Sequence, residues 1–141
     1  MAQVGYNAAS RAVIEKGDWA VVYGDGLIGQ CGAQAIRARG ARVILIGHHP
    51  ERLKLAAAHS ADVVVNNREE EAAKAVHGHT GGRPVSVVLD SVQTEGSQRE
   101  YVPLLERGRG QIVYFGFTPG TSWADMGLLQ QRELTTHFVS G

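Results

Sequence analysis

From residue 18 onward the chain alternates two patterns. Short unbroken apolar runs are separated by longer stretches in which apolar residues recur every three or four positions. The first pattern reads as strand and the second as helix. WAVVY (19–23), RVILI (42–46), DVVV (62–65), VSVVL (85–89), QIVYFG (111–116) and ELTTHFV (133–139) are the six strand candidates. Between the first two, residues 27–39 set Ile28, Cys31, Gly32, Ala35 and Ile36 on one helical face and stop at Gly40. Pro50 opens a second helix, with His49 just outside it, that runs to about His59. A polar, Glu-rich helix is predicted over 68–77 with Ala72, Ala75 and Val76 inward. An irregular helix covers about 95–107, disturbed by Pro103, and a short one covers 123–131. HTGGRP (79–84) and TPGTS (118–122) read as loops, and YNAASRAVIEKG within residues 1–17 reads as a leading helix packed against the rest.

Strands that are continuous Val/Ile/Leu runs are buried on both faces, as parallel sheets require. Right-handed crossovers then give an α/β, doubly wound six-stranded parallel sheet, a Rossmann fold in the order 3-2-1-4-5-6. Composition narrows the function classes. Fourteen basic residues balance fourteen acidic ones, which argues against a nucleic-acid footprint or a membrane-surface patch. No apolar run approaches the ~20 residues of a membrane span. The opening MAQVGYNAASRA lacks the charged-then-apolar order of a signal peptide. With a single cysteine, Cys31, no disulfide forms within the chain, and a cytoplasmic location is expected. Cys31 itself falls on the apolar helical face and reads as a small buried hydrophobe.

The chemistry concentrates in VVYGDGLIGQ (21–30), where Gly24, Gly26 and Gly29 stand between a strand and a helix. In a dinucleotide-binding turn the first glycine allows the tight exit from the strand. The second lets a pyrophosphate approach the backbone, and the third lets the helix pack closely. The helix N-terminus supplies free N–H groups and a partial positive charge to the phosphates. The alternative is a tight strand-to-helix turn with no ligand. Enzymes that use NAD carry Asp or Glu at the end of the second strand for the adenosine ribose. Here that position is Gly47, which offers room and no negative charge, while His48, His49 and Arg52 offer donors. NADP is therefore the expected cofactor, with NAD as the alternative.

Other constellations carry less. His77 with His79, and His48 with His49, lack a third ligand at a recognisable spacing, so no metal site is expected. His137 reads as structural or as a rim residue, and Trp19 and Trp123 as packing residues. None of the four tyrosines has a lysine four residues on, and no serine sits in a G-x-S-x-G elbow.

KGDWAVVYGDGLIG, GARVILIGHHPERLKLA, ADVVVN, TGGRPVSVVLDSV and GQIVYFGF resemble the medium-chain dehydrogenase/reductase superfamily, the zinc-type alcohol dehydrogenases. The resemblance is to the cofactor-binding domain alone. It implies a leading helix from the catalytic-domain junction (1–17, around QVGYNAASRA) and a dinucleotide-binding domain (18–141) that ends at the sixth strand, RELTTHFVSG. It also implies that the zinc, if the intact protein has one, and the catalytic residues belong to a domain outside this chain. Leu27 and Ile28 would sit beside the pyrophosphate and nicotinamide riboside. Ser91, Val92, Phe115, Gly116, Phe117 and Val139 would line the nicotinamide pocket. Gln93 departs from the family, which commonly has glycine there, and Gly47 stands where NAD-using members have Asp. The implied function is to hold NADP(H) for hydride transfer to or from an alcohol or carbonyl substrate in an intact enzyme, with this chain alone inactive and a homodimer through the sixth strand. A stand-alone NAD(P)-sensing module is the alternative. A methyltransferase using S-adenosylmethionine is disfavoured, because such enzymes generally place an acidic residue where Gly47 stands.

Overall fold

The computed structural model describes residues 1–117 and 124–140. The TPGTS loop and Trp123 therefore lie outside the described residues. A helix, α1 (Ala2–Arg11), precedes β1 (Trp19–Tyr23), α2 (Leu27–Ala38), β2 (Arg42–Gly47), α3 (Pro50–His59) and β3 (Val63–Asn66). The second half runs α4 (Ala72–Thr80), β4 (Val87–Asp90), α5 (Glu95–Tyr101), β5 (Gln111–Tyr114), α6 (Met126–Gln131) and β6 (Thr135–Phe138). The strands form one parallel sheet in the order β3-β2-β1-β4-β5-β6, as the alternation of patterns implies.

Successive residues of a strand point to opposite faces, and here they feed two separate cores. Ala20, Val22, Leu45, Leu89 and Val113 pack with Ala33, Ile36, Leu53 and Ala56 beneath α2 and α3. Val21, Ile44, Ile46, Val88 and Ile112 pack with Val76, Tyr101 and Leu129 beneath α4, α5 and α6. β1, β2 and β4, in the middle, are buried almost throughout, whereas the edge strands β3 and β6 are partly exposed.

The leading helix belongs to the first core. Ala8, Ala9 and Ala12 are buried, and a Cβ on Gly5 would lie 2.6 Å from the backbone of Cys31 and Gly32. α1 and α2 thus touch backbone to backbone. Cys31 is half-buried rather than buried, because it lies at this crossing while Gly29, Gly32, Ala33 and Ile36 turn to the sheet.

Other boundaries differ for local reasons. The helix predicted over 68–77 begins at Ala72, because Asn66 captures the chain first: its side chain accepts from the Arg68 amide and its carbonyl from those of Glu69 and Glu70. The helix then runs into the predicted loop (79–84) as far as Thr80, and is capped by Gly81, in the left-handed conformation at φ 64°. The 95–107 helix stops at Tyr101 and becomes a 3₁₀ turn, Val102–Leu104, at Pro103. Val85 falls outside β4 and makes only a bridge to Leu105. No helix among the described residues is long and apolar enough to cross a membrane.

Candidate functional site

The strand order reverses between β1 and β4, and a cleft of about 770 Å³ opens there at the C-terminal ends of the strands. Open α/β sheets bind ligands at this place. The three glycines of the β1–α2 turn play different parts. Gly24 has φ 112°, and a Cβ on it would run into Ser91 Oγ. A Cβ on Gly29 would run into the Gly24 carbonyl, so Gly29 serves the turn itself rather than helix–strand packing. The close approach to the sheet belongs to Gly32, where a Cβ would lie 2.9 Å from the Phe115 ring.

Gly26 is the exception. Its backbone is ordinary and extended, and a Cβ on it would meet no atom of the described residues within 4 Å. The fold gives no reason for a bare backbone there. Gly26 also caps α2 without a side-chain hydrogen bond, and Gly26, Leu27, Ile28 and Gly29 all line the cleft. The N–H groups and dipole of α2 therefore face open space at a position kept free of side chain, which fits a phosphate group.

Between Gly24 and Gly26 stands Asp25, whose role the sequence reading missed. Its carboxylate accepts from the backbone amides of His48 (3.0 Å) and His49 (2.8 Å) and from His49 Nδ1 (2.9 Å), with the Arg52 guanidinium 3.7 Å away. An ionised carboxylate only accepts, so the proton of the His49 contact sits on Nδ1. Burial pushes the Asp25 carboxyl up, but the hydrogen bonds from His49 and His48 outweigh it and hold the group below its ordinary value. The opening expected at Gly47 is absent: a Cβ there would lie 2.5 Å from Asp25 Cβ and Oδ2. The end of β2 is thus neither roomy nor free of negative charge. One signal pointed there, an aspartate inside the glycine turn of a chain that lacks a carboxylate at the end of β2.

A second carboxylate shapes the opposite wall. Asp90, at the end of β4, is fully buried and accepts from the amides of Val92 (2.9 Å) and Gln93 (2.8 Å) and from the Tyr101 hydroxyl (2.7 Å). Burial pushes Asp90 up, and the hydrogen bonds only partly offset it. Burial and the neighbouring Asp90 also raise Tyr101. Gln93 takes φ 58°, the left-handed conformation that glycine adopts freely. Its amide is anchored on Asp90 and its side chain donates to the Phe115 carbonyl at 2.9 Å, which explains how a non-glycine residue holds the turn. Ser91 Oγ donates to the Tyr23 carbonyl, tying the β1 and β4 exits together. Nearby, the Tyr23 hydroxyl donates to Glu100, and burial with that carboxylate raises Tyr23.

Most expected site residues meet in the cleft: Gly47, His48 and His49 on one side, Ser91, Val92, Gly116 and Phe117 on the other, and the α2 N-terminus between. Arg52 stands behind Asp25. Phe115 does not reach the cleft, because its ring is fully buried under α2. Val139 is likewise buried in the first core, and His137 pairs with Val113 away from the cleft. Asn67, Thr94 and Glu100 line the cleft without having been singled out from the sequence. Among the described residues no three His, Cys, Asp or Glu side chains are grouped to hold a metal.

The profile of the zinc-binding dehydrogenase family matches residues 28–140. The chain belongs to that family. A putative D-xylulose reductase of Agrobacterium fabrum is 34% identical over 137 residues, 96% of this chain and 39% of its own length. An alcohol dehydrogenase of Geobacillus stearothermophilus is 32% identical over 111 residues, 79% of this chain and 32% of its own. The crystal structure of an Escherichia coli oxidoreductase/dehydrogenase of unknown specificity superimposes with a TM-score of 0.86 at 27% identity, over 98% of this chain and 40% of that one. The chain thus spans about a third to two fifths of the length of these relatives.

Proposed function

We propose that this chain is the cofactor-holding part of a longer, zinc-type alcohol dehydrogenase-like oxidoreductase, and that the cofactor is NADP(H). The bare, unobstructed Gly26 at the uncapped N-terminus of α2 carries the reading, since a ligand phosphate explains it and the packing of the chain does not. Phosphate oxygens would meet the N–H groups at the start of α2. The adenosine end would meet His48 and His49, with Arg52 behind them, and the nicotinamide end would meet Ser91, Val92, Gly116 and Phe117. The cofactor supplies the hydride chemistry between an alcohol and a carbonyl, and the protein supplies orientation and electrostatics. The ordered β4 exit fixes one wall.

The preference for a 2′-phosphate no longer rests on space at Gly47. It rests on the donors. The carboxylate in contact with these donors, Asp25, is 5% exposed and engaged by its own chain, while the His49 and Arg52 side chains are 47% and 55% exposed. The edge strand β6 supports a second part of the reading, a homodimer. Phe138 is 77% exposed there, stacked on Tyr114 at 5.1 Å, and a second copy would cover it. The single cysteine agrees with a cytoplasmic location. Calorimetric titration of NADPH and of NADH into the purified chain tests the cofactor reading. Binding of both with NADPH tighter is expected, and no binding of either would overturn it.

A further inference from the structure

The end of β2 is closed by a residue from another loop. A carboxylate on residue 47 is excluded not by the backbone of Gly47, which has no positive φ, but by Asp25, whose side chain fills the place. The Asp25 carboxylate meets two consecutive amides and the Nδ1 edge of His49, and it sits 3.7 Å from Arg52. Fixing Nδ1 turns the Nε2 edge of His49 away from Asp25. The His48 ring lies against it at 4.2 Å, and both rings line the cleft.

We propose that Asp25 is a positioning residue for coenzyme choice: it occupies the β2-terminal position and holds His49 and Arg52 so that they favour a 2′-phosphate over a free 2′-hydroxyl. This rests on the dinucleotide reading given above. The charged and titratable groups around the pair are Asp25 from the β1–α2 turn, His48 and His49 from the β2–α3 turn, and Glu51 and Arg52 from α3. Glu51 is exposed and belongs to the first turn of α3. The Asp25 carboxylate is buried and engaged by its own chain, so the His49 and Arg52 donors, not the carboxylate, are exposed to a ligand.

The arrangement makes a non-additive prediction. Gly47→Asp alone collides with Asp25, so it destabilises the fold and is no clean switch toward NADH. Asp25→Ala would still leave a Cβ 2.5 Å from the new one, so only Asp25→Gly removes the obstacle. The double variant Asp25→Gly/Gly47→Asp puts the carboxylate on β2 itself, recovers the stability lost by Gly47→Asp, and binds NADH in preference to NADPH. Titrations of NADPH and NADH into the wild-type chain, Gly47→Asp, Asp25→Ala and the double variant read this, with thermal unfolding alongside. Asp25→Ala is expected to lower the NADPH-to-NADH affinity ratio by roughly tenfold, the scale of one charge-assisted contact. In nitrogen-15 spectra His49 is expected to hold its proton on Nδ1 in the wild type and to lose that preference in Asp25→Asn. A ratio unchanged by Asp25→Ala would overturn the positioning role and leave the dinucleotide reading intact. A wild type that prefers NADH and loses the preference in Asp25→Ala would overturn it too, because Asp25 would then read the ribose hydroxyls itself. A wild type that binds neither dinucleotide would overturn both readings.

Discussion

The two walls of the cleft are built with one device used in two ways. On each wall a carboxylate accepts from two consecutive backbone amides: Asp25, in the β1–α2 turn, from His48 and His49 of the β2–α3 turn, and Asp90, at the end of β4, from Val92 and Gln93 of the turn that follows it. The third partner differs. Asp25 has the imidazole of His49, half-exposed at the cleft, while Asp90 has the buried hydroxyl of Tyr101. The Asp25 carboxyl accordingly lies below its ordinary value and the Asp90 carboxyl above it. Amide and imidazole N–H groups donating to Asp25 favour its charged form and outweigh its burial, whereas burial dominates at Asp90. The first arrangement suits a wall that chooses a ligand, the second a wall that stays fixed.

The comparison breaks most visibly at Asp90. Asp90→Ala strands the Tyr101 hydroxyl, which is fully buried, and unpairs two part-buried amides, and a loss of about 3 kcal/mol is expected by denaturant unfolding. Asp25→Ala unpairs two part-buried amides but leaves its third partner, His49, half-exposed to solvent, so it costs less, about 1 kcal/mol, and acts chiefly on coenzyme choice. If both variants cost the same stability and neither changes coenzyme choice, the division of labour between the walls is wrong.

The pH dependence sharpens the same contrast, because the two carboxyls shift in opposite directions. A carboxyl lowered on folding contributes stability above its unfolded value, and that contribution is lost as the pH falls through the folded value. A carboxyl raised on folding does the reverse: stability falls as the pH rises from the unfolded value, about 3.9, toward the folded one. Asp25→Asn should therefore cost more stability at pH 7 than near pH 3. Asp90→Asn should cost less at pH 7 than near pH 4. Unfolding curves of both variants across this range check the two signs.

The smallest effect is expected at Gln93. Gln93→Gly relieves a left-handed residue, worth about 1 kcal/mol, but gives up the hydrogen bond to Phe115 and loosens the unfolded chain, so a net change within about 1 kcal/mol is expected. A larger loss would mean that the side chain, not the Asp90 anchor, holds the turn.

The architecture was legible because it rests on local patterns. Unbroken apolar runs at 19–23 and 43–46 specify strands buried on both faces, and the glycine turn marks the switch point. What escaped was set by contacts distant in sequence. The start of α4 depends on which amides Asn66 captures, and the burial of Phe115 on the absent side chain of Gly32. The charge at the end of β2 depends on a residue 22 positions earlier, Asp25, reaching across to Gly47. Reading position 47 alone gave an opening; the fold fills it from the neighbouring turn.

Gly26 tests the central claim most directly. A Cβ there meets no atom of the described residues within 4 Å, so Gly26→Val should change stability by no more than about 1 kcal/mol. If the start of α2 cradles the phosphates of a dinucleotide, the same variant should lose NADPH and NADH binding together in a calorimetric titration. Undiminished binding by a folded Gly26→Val chain would contradict the account.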